Sequence, residues 1–181
     1  MAAYQAGNEA AFDQLFERWA GRVYGFLVRR LGDPALAEDL HQEVFLRLHR
    51  SRRIYDARRP FRAWLFGIVH NLVTDALRSR GRSPAVASLD QSGTEGPRDV
   101  ATDASPEARV AARESARALE RALGALPSDE ATTLMLARVE GLSYEEIGTI
   151  LGRSPAAAKQ LAYRALKHLR ATLPAGGTQE G

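Results

Sequence analysis

The chain has 181 residues, 45% hydrophobic and 26% charged, with a formal net charge of +3, enough for one ordinary domain or two small ones. It has no cysteine, which excludes disulfides, cysteine-ligated zinc and iron–sulfur clusters, and no apolar run as long as a membrane span. The basic residues are 23 Arg and 2 Lys, and arginine is the better residue for bidentate phosphate contacts. Met1 to Gly7 hold neither basic residues nor an apolar core, so no signal peptide is expected and a soluble, cytoplasmic protein is.

Asn8 is placed to cap a helix running through Leu31. Its stripe is Phe12, Leu15, Phe16, Trp19, Val23, Phe26 and Leu27, stepping by three and four, and Gly32 ends it. Asp33-Pro34 is a cap followed by a first-turn proline. The helix it opens reaches about Ser51, with Leu36, Leu40, Val44 and Leu48 spaced by four. Glu38, Asp39 and Glu43 in its first turns suit the positive end of the helix dipole. Arg52 to Arg59 breaks the pattern, and Pro60 opens a third helix to about Arg82, with the stripe Phe61, Trp64, Leu65, Ile68 and Leu72. From Arg47 to Arg82 there are ten arginines against two acids, Asp56 and Asp75, interleaved with Tyr55, Phe61, Trp64 and Phe66. Bases stack on aromatic rings and phosphates pair with arginines, so this composition suits single-stranded nucleic acid. Helical spacing makes core the competing role for Phe61 and Trp64, and one ring can do both on different edges.

Residues 83–105 differ in kind. They hold Ser, Gly, Thr, Pro and Asp, with Asp90, Glu95, Asp99 and Asp103 against Arg98, and read as a flexible acidic linker. Ser105-Pro106-Glu107 restarts helix to about Ala125, with Val110, Leu119 and Leu123 on its stripe. Leu126-Pro127 ends it, and Ser128 or Asp129 caps a helix carrying Leu134, Met135 and Val139. Ser143 and Glu146 then have capping-box spacing, followed by the stripe Ile147, Ile150, Leu151 and by Gly152, suited to a left-handed helix end. Ser154-Pro155 starts a last helix bearing Lys159, Arg164, Lys167, His168 and Arg170 with no acidic residue. A short helix, a tight turn and a basic helix make a helix-turn-helix, with the charge sign a DNA backbone needs. Pro174 to Gly181 read as a frayed tail.

Enzyme chemistry finds little support. His41-Gln42-Glu43 has the H-x-E spacing of zinc deaminases without the cysteine pair. His41 and His49 are eight apart, where a helical metal site wants four. No P-loop and no G-x-G-x-x-G is present. Asp39 and Glu43 share a helix face, where partner docking is favoured over acid–base work. No cofactor and no metal are expected.

Three segments resemble a family. Ala37-Glu38-Asp39-Leu40-His41-Gln42-Glu43-Val44-Phe45-Leu46-Arg47-Leu48 looks like the core-binding segment of bacterial RNA polymerase sigma factors. Pro60 to Arg78 looks like their promoter-melting and −10-reading segment. Leu126-Pro127 with Glu140 to Arg170 looks like their −35-reading helix-turn-helix. Two modules without a long middle domain are similar to the extracytoplasmic-function (ECF) group. The resemblance implies an all-α fold of two helical modules, 8–82 and 106–173, joined by the linker 83–105. It implies that Asp39, Gln42 and Glu43 dock on the β′ clamp of core RNA polymerase, which contributes β contacts as well. Arg59, Phe61, Arg62, Trp64, Asn71, Asp75 and Arg78 would serve the opened −10 strand, and the loop from Ile54 to Pro60 would form a pocket for a flipped base. Arg153, Ser154, Ala157, Lys159, Gln160 and Arg164 would face −35 duplex. Leu161 and Gln160 depart from the family's frequent Thr-Val-Lys-Ser-Arg-Leu run, a frequent Arg being replaced by Leu161.

The implied function is a non-enzymatic initiation factor that binds core polymerase, directs it to promoter DNA and helps open the duplex, with an anti-sigma protein as a family-level partner. The rivals are a two-domain helix-turn-helix regulator acting without polymerase and an enzyme acting on nucleic acid.

Overall fold

The computed structural model describes residues 1–82 and 106–173; the linker and the C-terminal tail lie outside the described residues. Every regular element among them is helical: α1 (Ala2–Gln5), α2 (Ala10–Leu31), α3 (Pro34–Ser51), a 3-10 turn (Arg52–Ile54), α4 (Phe61–Arg82), α5 (Pro106–Gly124), α6 (Ser128–Arg138), α7 (Tyr144–Leu151) and α8 (Pro155–Thr172). The fold is all-α, in two helical modules.

The local signals act where they were read. Asn8 Oδ1 accepts from Ala11 N at 3.3 Å, ahead of α2. Gly32 closes α2 with φ 64°, and Asp33 caps α3 by accepting from Leu36 N at 3.0 Å. Both bonds of the Ser143–Glu146 capping box are made. Gly152 ends α7 with φ 64°, and Ser154 caps α8 through Ala157 N at 3.2 Å. Ser128 is a correction. Neither it nor Asp129 caps α6; the Ser128 hydroxyl accepts instead from Arg30 Nη2 at 2.6 Å.

Trp19, Val23, Phe26 and Leu27 of α2 close on Val44 and Leu48 of α3 and on Leu65, Phe66, Val69 and Val73 of α4. Phe16 departs from its stripe, 40% exposed, with its ring edge-on to Phe45 at 4.8 Å. On α5, Val110 and Leu119 face solvent, and Ala122 carries the packing with Leu123. Val139, just past α6, is also exposed. The unpredicted α1 buries Tyr4, whose hydroxyl bonds His49 Nδ1. Gln5 Nε2 donates to the carbonyls of Arg52 at 2.8 Å and Tyr55 at 2.7 Å, so this turn braces the loop after α3.

The two modules pack on each other. α4 lies against α7, and α2 touches α5 and α6. Met135, Leu136, Leu142, Ile147 and Ala158 of the second module belong to the same apolar cluster as the core of the first. A smaller cluster, Ala122, Leu126, Ala131, Leu134, Ala165 and Leu169, ties α5 and α6 to α8.

Candidate nucleic-acid interface

The helix positions decide which side chains are free. On α3, burial of Ala37, Val44 and Leu48 turns Asp39 and Gln42 to solvent, while Glu43 is half-buried. Glu43 Oε1 accepts from Arg47 Nε at 2.8 Å, one turn on. Leu46 is 49% exposed on this face and was not singled out from the sequence.

At the start of α4, the rings of Tyr55, Phe61 and Trp64 meet: Tyr55–Trp64 at 4.9 Å, Phe61–Trp64 at 6.0 Å and Tyr55–Phe61 at 6.1 Å. Phe61 also meets Trp19 at 5.8 Å, so Phe61 and Trp64 are half-buried, with one edge on the core and one on the surface. The loop before them is held by the Tyr55 hydroxyl, which donates to Arg59 O at 2.6 Å, and by Asp56, which pairs with Arg58 at 2.9 Å. Those Arg58 hydrogen bonds hold the Asp56 carboxyl below its ordinary value. Arg59, Asn71, Asp75 and Arg78 are exposed. Asn71 stands at an open groove of about 360 Å³ with Arg47, Arg50, Ser51, Ile54 and Ile68. The guanidinium groups, the amide and the aliphatic wall suit a phosphate and a base face together. Ile54 is 81% exposed.

Arg62 is placed differently from its neighbours. Its Nε and Nη2 donate to Oε1 and Oε2 of Glu146 at 3.3 and 3.1 Å. Burial pushes the Glu146 carboxyl up, but the Ser143 amide and the Arg62 guanidinium outweigh it, and its pKa lies below the ordinary value. Periodicity gives no sign of this pair.

The second module presents α8. Arg153, Ser154, Lys159, Gln160 and Arg164 are exposed and Ala157 is half-buried. Ser154 spends its hydroxyl oxygen on the cap. Arg153 pairs with Asp129, and Arg164 Nε lies 3.6 Å from Glu130 Oε1. Glu130 is buried and also meets His168 Nδ1 at 2.7 Å. Leu161 is only 6% exposed and lies among the buried residues of α8. Tyr163, 65% exposed, was missed. It lies i+4 from Lys159 and i+3 from Gln160, on the basic face, and that spacing was the available signal.

Among the described residues no group of three or more His, Cys, Asp or Glu is gathered for a metal, and no helix is long and apolar enough to cross a membrane.

Two helical modules, each with an arginine-bearing face and the second with a helix-turn-helix, define a DNA-binding transcription protein. Residues 15–83 match sigma-70 region 2 and residues 116–169 match sigma-70 region 4. The chain is 41% identical over 174 residues to the RNA polymerase sigma factor CarQ of Myxococcus xanthus, covering 96% of this chain and 95% of that one. It is 29% identical to the ECF RNA polymerase sigma factor SigW of Bacillus subtilis, over 92% of this chain and 91% of that one. In structure it is similar to CnrH, solved in complex with the cytosolic domain of CnrY, with TM-score 0.68 and 28% identity over 94% of this chain and 92% of CnrH. The chain belongs to the sigma-70 family, in its ECF group, and is a sigma factor that directs RNA polymerase to promoters. Two sigma regions in this order do not favour a regulator acting without polymerase.

Proposed function

We propose the residue-level division of this work. Asp39, Gln42 and Glu43, with Leu46 as an apolar anchor between them and Arg50, dock on the β′ clamp of core polymerase. Arg59, Phe61, Arg62, Trp64, Asn71, Asp75 and Arg78 hold the opened −10 strand, and the groove at Asn71 receives an unstacked base. Arg153, Ser154, Ala157, Lys159, Gln160 and Arg164, joined by Tyr163, meet the −35 duplex, where the first turns of a recognition helix reach base edges and flanking cations hold phosphate. The functional modules are 8–82 and 106–173, with 83–105 as the tether; the family matches fall within these bounds to one residue. The chain catalyses nothing itself, works in the cytoplasm beside the polymerase, and is held by an anti-sigma protein.

The observation that carries this reading is the coincidence of exposure with charge: on each of α3, α4 and α8 the face left free by core packing is the polar one. Run-off transcription with purified core polymerase tests it. The wild-type chain is expected to initiate from promoter fragments, and the Asp39→Ala/Glu43→Ala variant to lose polymerase binding while keeping its helical content. Unchanged polymerase affinity in that variant would sink the docking assignment.

A further inference from the structure

The groove at Asn71 is built from two helices and a turn. Ile68 and Asn71 come from α4, Arg47, Arg50 and Ser51 from the end of α3, and Ile54 from the 3-10 turn. The helical walls are held by their own ladders and by the core. A 3-10 turn has poorer hydrogen-bond geometry than an α-helix, and Ile54, 81% exposed, anchors little by itself. The shape of this third wall depends on what ties its backbone.

α1 supplies the ties. Gln5 Nε2 donates to the Arg52 carbonyl at 2.8 Å and to the Tyr55 carbonyl at 2.7 Å, so its two bonds bracket Ile54. A carboxamide has two N–H donors, and both are spent on this turn. The hydroxyl of the neighbouring Tyr4 bonds His49 Nδ1 in the last turn of α3. The Arg52 guanidinium lies over the Tyr4 ring at 5.6 Å, and its Nη1 donates to the His49 carbonyl at 2.8 Å. A helix of one turn does not stand alone. α1 is fixed because Tyr4 is buried, with its ring 5.3 Å from Phe12 of α2. A line of contacts therefore runs from α2 through Tyr4 and Gln5 to the wall of the groove.

A base that leaves a duplex gives up stacking and pairing, and its capture has to offset that loss. A wall already in place does not have to be ordered at the moment of capture. We propose that Gln5 is a positioning residue for promoter opening: by holding the Arg52 and Tyr55 carbonyls it keeps the Ile54 wall preformed for an unstacked −10 base. Gln5 acts through the turn, its donors being committed to protein. This rests on the assignment of the Asn71 groove to the opened −10 strand.

The test uses holoenzyme assembled from the full chain and core polymerase, with a promoter from which the wild-type chain initiates. The probes are a single strand carrying that promoter's non-template −10 sequence and copies with an abasic site at each position in turn. The groove position is the one where removing the base weakens wild-type binding and Asn71→Ala then costs nothing further. Gln5→Glu keeps the length of the side chain but, as a carboxylate, offers no donor. It should weaken binding of the intact strand about fivefold, the equilibrium factor of one net hydrogen bond, and Gln5→Ala should do the same. On the strand abasic at the groove position both variants should bind as wild type does, and their affinity for core polymerase should be unchanged. Wild-type affinity of Gln5→Glu for the intact strand overturns the proposal. So does an equal fold-loss on intact and abasic strands, or a matching loss of polymerase affinity, which a merely structural brace would give. Failure of the groove assignment itself shows differently, as wild-type holoenzyme indifferent to an abasic site at every position.

Discussion

Gly148 offers a test in which two effects have opposite signs. In a helix interior, Gly→Ala normally stabilises by about 1 kcal/mol. At Gly148 an added Cβ would lie 2.7 Å from the Arg153 carbonyl oxygen and 3.3 Å from both Pro155 N and the Ser154 carbonyl carbon. Ordinary contact begins at 3.4 Å, so the worst approach falls short by 0.7 Å (3.4 less 2.7). All three atoms are backbone of the turn between α7 and α8, and no rotamer change can move them. Overpacking of this kind costs about 1–3 kcal/mol, which exceeds the propensity gain. Gly148→Ala should therefore destabilise by about 1 kcal/mol net. Gly21, exposed on α2 with nothing near its would-be Cβ, is the control, and Gly21→Ala should stabilise by about 1 kcal/mol. Urea unfolding reads both as shifts of the midpoint at constant slope. Because the clash wedges α7 from the start of α8, Gly148→Ala should also weaken binding to −35 duplex. A Gly148→Ala midpoint at or above wild type would refute the steric reasoning.

Asp33→Ala removes the α3 cap and should cost about 0.5–2 kcal/mol in urea unfolding. The bond from Leu36 N, with Arg80, holds the Asp33 carboxyl below its ordinary value, so its contribution is present above that ordinary value and is lost as pH falls through the depressed one. The Asp33→Ala and wild-type stabilities should thus converge in acid, and a gap that persists there would refute the linkage. Burial lowers the His41 and His70 pKa values from the ordinary 6.5. The unfolded chain then binds protons first, so stability is full above 6.5 and declines as pH drops through it. Unfolding midpoints followed across that range check the sign, and His70→Gln should flatten the slope. Lys159→Ala and Arg164→Ala should each reduce the salt slope of −35 duplex binding by about one, measured by titration at several salt concentrations. Tyr163→Ala should lower affinity without changing that slope.

What was legible in the sequence was local. Caps and stops need only neighbouring residues, so Asp33-Pro34, Ser143 with Glu146, Gly152 and Ser154-Pro155 could be read directly. The exposed faces of α3 and α8 followed from helical spacing. The seam between the modules was not legible, because it joins residues distant in the chain: Arg62 and Glu146 are 84 apart, and Arg30 and Ser128 are 98 apart. Such pairs leave no period. They also explain the misread positions. Ser128 is an ordinary cap in sequence, but a buried guanidinium claims its hydroxyl. Thr132, Thr133 and Glu130 sit among the most buried residues of α6, although composition alone puts polar residues outside. Val110 and Leu119 show the converse, apolar residues on a helix whose packing rests on Ala122 and Leu123.

The apolar cluster that runs through both modules bears on how the chain melts. Separate modules on a tether would absorb heat in two steps. A cluster containing Phe26 and Leu65 together with Leu136 and Ile147 couples the interiors of the two modules, so the chain should show one endotherm whose calorimetric and van't Hoff enthalpies agree. Splitting of that endotherm on addition of a ligand would count the moment at which one body becomes two.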